Sequence, residues 1–216
     1  MIQTKEELKF YIESDLRARE INGYGSISLA KRMQACLLPT PWKFQILLRK
    51  AEFYMGNHNR VLKLVGVYYK YRAYRYGLKC GYSIHTNTFG PGLCLTHCGT
   101  VVINGGVKFG SNARVQAGVN IGAFSRFDEN WAESAPTFGD NVYIGPGAKV
   151  FGKIIVGDNV AIGANAVVSK NVPDHCTVVG ANKIVNEIGS IDMIHYGDES
   201  KIPGDSYAEK TRRGAE

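Results

Sequence analysis

Every sixth residue between Phe138 and Val168 is large and apolar: Phe138, Ile144, Val150, Val156, Ile162 and Val168 stand in unbroken register. Gly139, Gly145, Gly157 and Gly163 directly follow four of them. A period of six matches neither the 3.6 of a helix nor the 2 of a plain strand, so it predicts a repeat architecture. Hexads of this kind wind into a parallel β-helix. Each supplies one short flat strand whose aliphatic residue points into the coil, and small residues allow the turn.

Followed backwards, the ladder has two faults. Phe89, Leu95 and Val101 share one register, and a slip of two residues moves it to Ile103, Phe109, Val115 and Ile121. The next apolar residue in step is Phe138, seventeen positions on instead of six. Eleven residues must therefore leave the coil, which predicts an extruded loop over 123–136 (AFSRFDENWAESAP). A loop that a solenoid does not need for its own stability is a natural carrier of function. At three hexads per turn the ladder predicts about four coils over residues 79–185, with Pro173 closing the strand pattern. The polar stretch 186–216 loses the period and reads as a partly ordered tail.

Residues 1–78 read differently, as a small helical cap. Thr4 and Glu7 form a capping box ahead of TKEELKFYIESDLRARE, in which Leu8, Tyr11, Ile12 and Leu16 make an apolar stripe. Asn22-Gly23 and Gly25 stop that helix, and a second helix followed by a turn is expected before Pro41. Further helices are expected from Pro41 toward Met55 and from about Arg60 to Tyr76. The chain's net charge of +7 is concentrated here: residues 1–80 hold 15 Lys+Arg against 6 Asp+Glu, and the remainder is slightly acidic. The fourth helix ends in YYKYRAYRY, a composition suited to an anionic surface or a lipid-linked acceptor. With no nucleic-acid module beside it, a plain amphipathic helix is expected, its tyrosines packed on the coil and Lys70, Arg72 and Arg75 in solvent.

The charged start MIQTKEELKF lacks the apolar run of a signal peptide, and no apolar stretch reaches 18 residues, so a cytoplasmic protein is expected. Five scattered cysteines (Cys36, Cys80, Cys94, Cys98 and Cys176) read as reduced thiols, with neither disulfide framework nor metal site.

The segments GPGLCLTHCGTVVIN (90–104), GVNIG (118–122) and FGDNVYIGPGAKVFGKIIVGDNVAIGANAVVSKNVP (138–173) resemble the serine acetyltransferase-like hexapeptide acyltransferases. ELKFYIESDLRA and WKFQILLRKAEFY are similar to the branch found in bacterial surface-polysaccharide clusters. The resemblance implies a mainly β fold, a left-handed parallel β-helix beneath an N-terminal α-helical cap, assembled as a homotrimer or a pair of trimers. It implies acyl transfer from acetyl-CoA, a co-substrate held between subunits, to a hydroxyl. His97 is then the proton acceptor. Gly122, Ala123, Gly145, Gly163 and Ala164 match the donor groove, and Lys170 and Lys183 suit its phosphates.

The chemistry agrees with that assignment. A hydroxyl becomes an adequate nucleophile only when a base takes its proton, and histidine titrates in the useful range. His97 lies two residues past the inward Leu95, so it should leave the core. His85 is the other histidine of the early coils. Two histidines do not make a zinc site, which needs three or four ligands. Cys98 reads as a small packed residue, and direct attack is simpler than a Cys–His relay. Asn120, or backbone N–H groups near Gly118–Gly122, are expected to stabilise the oxyanion.

Three departures bear on the acceptor. The family's serine-specific members carry aspartates where this chain has Ser83 and Thr96, and Arg-His-Pro where it has Ser134-Ala135-Pro136. A zwitterion would lack its partners. The expected acceptor is therefore a small sugar or sugar-nucleotide hydroxyl, met by Trp131 and Asp128 of the loop with Asn120 and His85. Serine acetylation, amino-sugar N-acylation and a non-enzymatic scaffold are the alternatives.

Overall fold

The computed structural model describes residues 2–20, 40–123 and 134–186. The expected second helix and its turn, the tail beyond 186, and most of the extruded loop lie outside these residues. So do the loop residues Asp128 and Trp131.

Three short-stranded sheets run along the chain axis. The first holds β1 (Tyr82–Ser83), β3 (Val101–Ile103), β6 (Asn120–Gly122), β9 (Lys149–Phe151) and β12 (Val167–Val168). The second holds β4 (Lys108–Phe109), β7 (Thr137–Phe138) and β10 (Ile155–Val156). The third holds β2 (Cys94–Leu95), β5 (Arg114–Val115), β8 (Tyr143–Ile144), β11 (Ala161–Ile162), β13 (Cys176–Val179) and β14 (Lys183–Asn186). From β2 to β12 successive strands rotate through the third, first and second sheets, and all pairings but β13 with β14 are parallel. The chain is a parallel β-helix.

The ladder from Phe138 to Val168 fills the coil, each of its residues at most 3% exposed. Phe138 pairs with Val156, Ile144 with Ile162 and Val150 with Val168, three hexads apart in each case. Phe109 pairs with Phe138, so the chain leaves after one rung and returns to the next without breaking the stack. Phe89, Phe109 and Phe138 stack face to face with centroids 4.5 and 4.1 Å apart.

Gly-Ser-Asn (110–112) and two Gly-Asp-Asn triplets (139–141 and 157–159) build one corner. Asn112, Asn141 and Asn159 all adopt φ of 56–61°, and their side-chain amides bond in sequence, Asn112 to Asn141 and Asn141 to Asn159, each at 2.9 Å. The carboxylate of Asp158 accepts from the Asp140 N–H of the rung above at 2.7 Å. Gly139 is required there because a Cβ would meet that carboxylate.

Pro173 does not close the coil. Val156 still bridges to Val172, β13 adds a parallel strand, and β14 then reverses direction to cover the third sheet's edge. Counting the irregular first and last turns, the core residues form five levels rather than about four.

Helix α1 (Lys5–Arg19) starts at the expected capping box. Helix α2 (Pro41–Gly56) has Thr40 as N-cap, and α3 (Arg60–Cys80) runs four residues past Tyr76 to a left-handed Gly81. The packed face of α1 differs from its expected stripe. Ser14, Asp15 and Ala18 are buried, and Leu8, Tyr11, Ile12 and Leu16 are half-buried. The cause is Arg49 of α2, fully buried, which grips Asp15 at 2.9 and 3.1 Å and Glu52 at 3.1 Å, and donates to the carbonyls of Phe89 and Gly90. Gln45 bonds the backbone of Leu93 and Leu95, closing the edge of β2 that no further strand covers.

Candidate active site

Corners between the third and first sheets are stacked one per rung. In three regular rungs six residues separate the inward positions flanking this corner: Val115 to Ile121, Ile144 to Val150 and Ile162 to Val168. In the first rung Leu95 and Ile103 are separated by eight. The register slip is thus a two-residue insertion at a corner, and His97-Cys98 are what it pushes out. Both are exposed, whereas Thr96 before them is buried.

The bulge is held from the side. The Tyr82 hydroxyl donates to the His97 carbonyl oxygen at 2.7 Å, and the Gly99 N–H donates to the Cys80 carbonyl at 2.8 Å. Tyr82 is buried with its ring edge on Phe44, and burial pushes its hydroxyl well above the ordinary tyrosine range. Cys98 is exposed and not packed as expected, and its thiol hydrogen-bonds with that of Cys80. Burial and this neighbour push the Cys80 thiol up to about 12. Thr96 turns inward, its hydroxyl 2.7 Å from Gln116 Oε1.

Small residues continue the same corner below His97. Gly145 and Gly163 follow Ile144 and Ile162, and Ala164 comes next. A Cβ on Gly145 would lie 2.8 Å from both the Ala164 nitrogen and the Ile162 oxygen, so the rungs meet there without side chains. Ala164 is exposed.

The remaining residues expected in the donor groove stand across the first sheet, at the corner where the chain exits it. Gly122, paired with Phe151, and Ala123 lie there, and Lys170 follows two residues after Val168. Asn182 bonds both the N–H and hydroxyl of Ser169, which brings Lys183 to the end of this corner. His85 tops it, its ring over Gly105 and its side chain exposed. His85 also edges a cleft of about 240 Å³ between α3 and the coil. The expected donor residues therefore do not form one cluster within the chain. They form two lines separated by the first sheet, each headed by a histidine.

Asn120 lies on the outer face of that sheet between Val102 and Lys149. The nearby N–H groups of Gly118 and Asn120 are engaged by the carbonyls of Thr100 and Ala148. Tyr82 and Cys80 were not legible as site residues, because only the helix–coil junction brings them under His97.

Comparison with known proteins places these features. Residues 135–170 match the profile of the bacterial transferase hexapeptide (six repeats). The chain is 41% identical over 102 residues to a serine acetyltransferase of Helicobacter pylori strain J99, covering 47% of this chain and 58% of that one. It is 35% identical over 147 residues to a serine acetyltransferase of Staphylococcus aureus strain Mu50, covering 62% and 66%. The chain thus spans less than two thirds of these relatives. Among solved structures, Neisseria gonorrhoeae serine acetyltransferase superposes with a TM-score of 0.65 at 26% identity, covering 84% of this chain and 68% of that one. Brucella abortus serine acetyltransferase in complex with coenzyme A gives 0.66 at 25%, covering 86% and 70%.

Proposed function

We propose that this chain is a hexapeptide-repeat acyltransferase that moves the acetyl group of acetyl-CoA to the hydroxyl of serine. The relatives and structural neighbours, named serine acetyltransferases, support serine over the sugar expected from the sequence. The observation that carries the reading is the two-residue insertion that turns His97 outward at the head of a corner lined by small residues.

In this reading His97 accepts the proton of the serine hydroxyl while its oxygen attacks the thioester carbonyl. The tetrahedral intermediate collapses with cleavage of the carbon–sulfur bond, and the coenzyme A thiolate takes the proton from His97. The Asn120 amide serves the oxyanion. The two lines of expected donor-groove residues meet only if one copy's His97 corner faces a neighbour's Gly122–Lys170 corner, which favours assembly as a trimer.

A sugar hydroxyl is the second reading, favoured by one observation. Position 83 carries a serine and the Thr96 hydroxyl is bonded to Gln116, so neither offers a carboxylate to an ammonium group. A thioester-cleavage screen with serine, free sugars and nucleotide sugars decides between them. Turnover with serine supports the proposal; turnover with a sugar and none with serine replaces it. His97→Ala should retain coenzyme A binding and lose roughly 10²–10⁴-fold in turnover, and undiminished turnover would remove His97 from the mechanism.

A further inference from the structure

Of the five tyrosines of α3, Tyr76 packs against the coil core as its sequence suggests and Tyr69 is half-buried, whereas Tyr68, Tyr71 and Tyr74 are exposed. Val61, Leu64, Val67, Tyr68, Tyr71, Tyr74 and Leu78 are 51–70% exposed. Their spacing of three and four places them on one outward ridge, roughly 140° wide and, over the full helix, about 31 Å long. The opposite face is pinned. A Cβ on Gly66 would lie 2.8 Å from the Met55 nitrogen, and one on Gly77 would lie 2.9 Å from the Tyr82 oxygen. The helix cannot roll to hide its ridge without driving backbone into backbone.

Charge decides what the ridge fits. Helix α3 carries six Lys/Arg and no Asp/Glu. Lys63 and Lys70 flank one side of the ridge, Arg72 and Lys79 the other, and Arg60 and Arg75 lie within it, all exposed. Within residues 41–80 the single acid is Glu52, buried against Arg49. A second copy docked through the same face would oppose like charges with no counter-charge. An anionic bilayer supplies phosphates for the cations and an acyl boundary for the ridge, with tyrosines at headgroup level. No helix among the described residues is long and apolar enough to cross a membrane, so α3 would lie along the surface.

We infer that the outward face of α3 is a docking surface for an anionic lipid bilayer. The inference is independent of the acceptor and of His97. The test is co-sedimentation of the full chain with vesicles of phosphatidylcholine alone or mixed with phosphatidylglycerol. Binding is expected only with phosphatidylglycerol, falling as salt rises. Lys63→Gln with Lys70→Gln should weaken it about 25-fold, at about fivefold per cation. Leu64→Ser with Tyr71→Ser should also weaken it, with thermal stability and soluble-substrate turnover unchanged. Equal binding to neutral vesicles, or none to either, overturns the inference. So does a result in which the ridge substitutions dissociate an oligomer in ultracentrifugation and leave vesicle binding intact, since the face would then belong to a second copy.

Discussion

The hydroxyl of Tyr82 donates to the carbonyl oxygen of His97 across 2.7 Å, from the first strand of the coil to the bulge that follows the second. It acts on the backbone of the histidine and leaves the imidazole untouched. Tyr82→Phe removes one hydrogen bond and keeps the ring against Phe44, so stability should fall by about 1 kcal/mol. If the bond positions His97, kcat should fall several-fold with KM for acetyl-CoA unchanged. Steady-state kinetics beside urea unfolding separate the two effects, and an unchanged kcat would confine Tyr82 to packing.

The Arg49 cluster makes a prediction that a simple ion pair would not. Arg49→Ala leaves Asp15 and Glu52 buried without their cation and should cost roughly 3–5 kcal/mol. Replacing Asp15 as well, as in Asp15→Leu with Arg49→Met, should recover only part of the loss. Glu52 still lacks its cation, and the carbonyls of Phe89 and Gly90 and the Leu93 N–H also lose their partners, so buried unpaired groups remain expensive. Urea denaturation of the single and double variants measures this. Full recovery would mean that the backbone bonds contribute little.

Buried thiols set a limit on the alkaline side. Burial pushes Cys94 up to about 11 and, with its Cys98 neighbour, Cys80 up to about 12, from an ordinary value of 9.0. A raised folded value means that the unfolded chain releases these protons first. The stabilisation is fully present below about pH 9 and is lost as pH rises toward 11–12. Melting temperature should therefore drop between pH 8.5 and pH 10.5, more steeply than in a Cys80→Ala/Cys94→Ala variant. Parallel slopes would assign the alkaline loss to other groups, of which buried Tyr82 is the first to test.

The coil was legible because its period is written in residue type: an aliphatic side chain every sixth position has no other use. The extrusion after Ile121 and the outward His97 were legible for the same reason, as breaks in that period. What was not legible depends on tertiary placement. Leu8, Ile12 and Leu16 make a convincing stripe on α1, yet a buried Asp15–Arg49 pair decides which face packs, and no local pattern announces a partner 34 residues away. On α3 the tyrosines promised burial, but the close approaches of Gly66 and Gly77 turn Tyr68, Tyr71 and Tyr74 outward and leave only Tyr76 packed against the core. The donor-groove residues were identified singly by resemblance; that they divide into two lines follows only from the strand register.

Phe109 occupies the rung after which the chain departs, and it is stacked between Phe89 and the Phe138 at which the chain rejoins. One rung lies on its N-terminal side and three on its C-terminal side, and in a solenoid each rung is stabilised chiefly by its neighbours. Phe109→Ala should cost roughly 3–5 kcal/mol and weaken the coupling at that one interface. Hydrogen exchange should then show a polarised loss: amides of β2, β3 and β5 exchange faster, while those of β8, β9 and β11 keep most of their protection. A uniform loss along the coil would mean that the helices, through Arg49 and Gln45, tie the first rungs to the rest strongly enough for the whole chain to open as one unit.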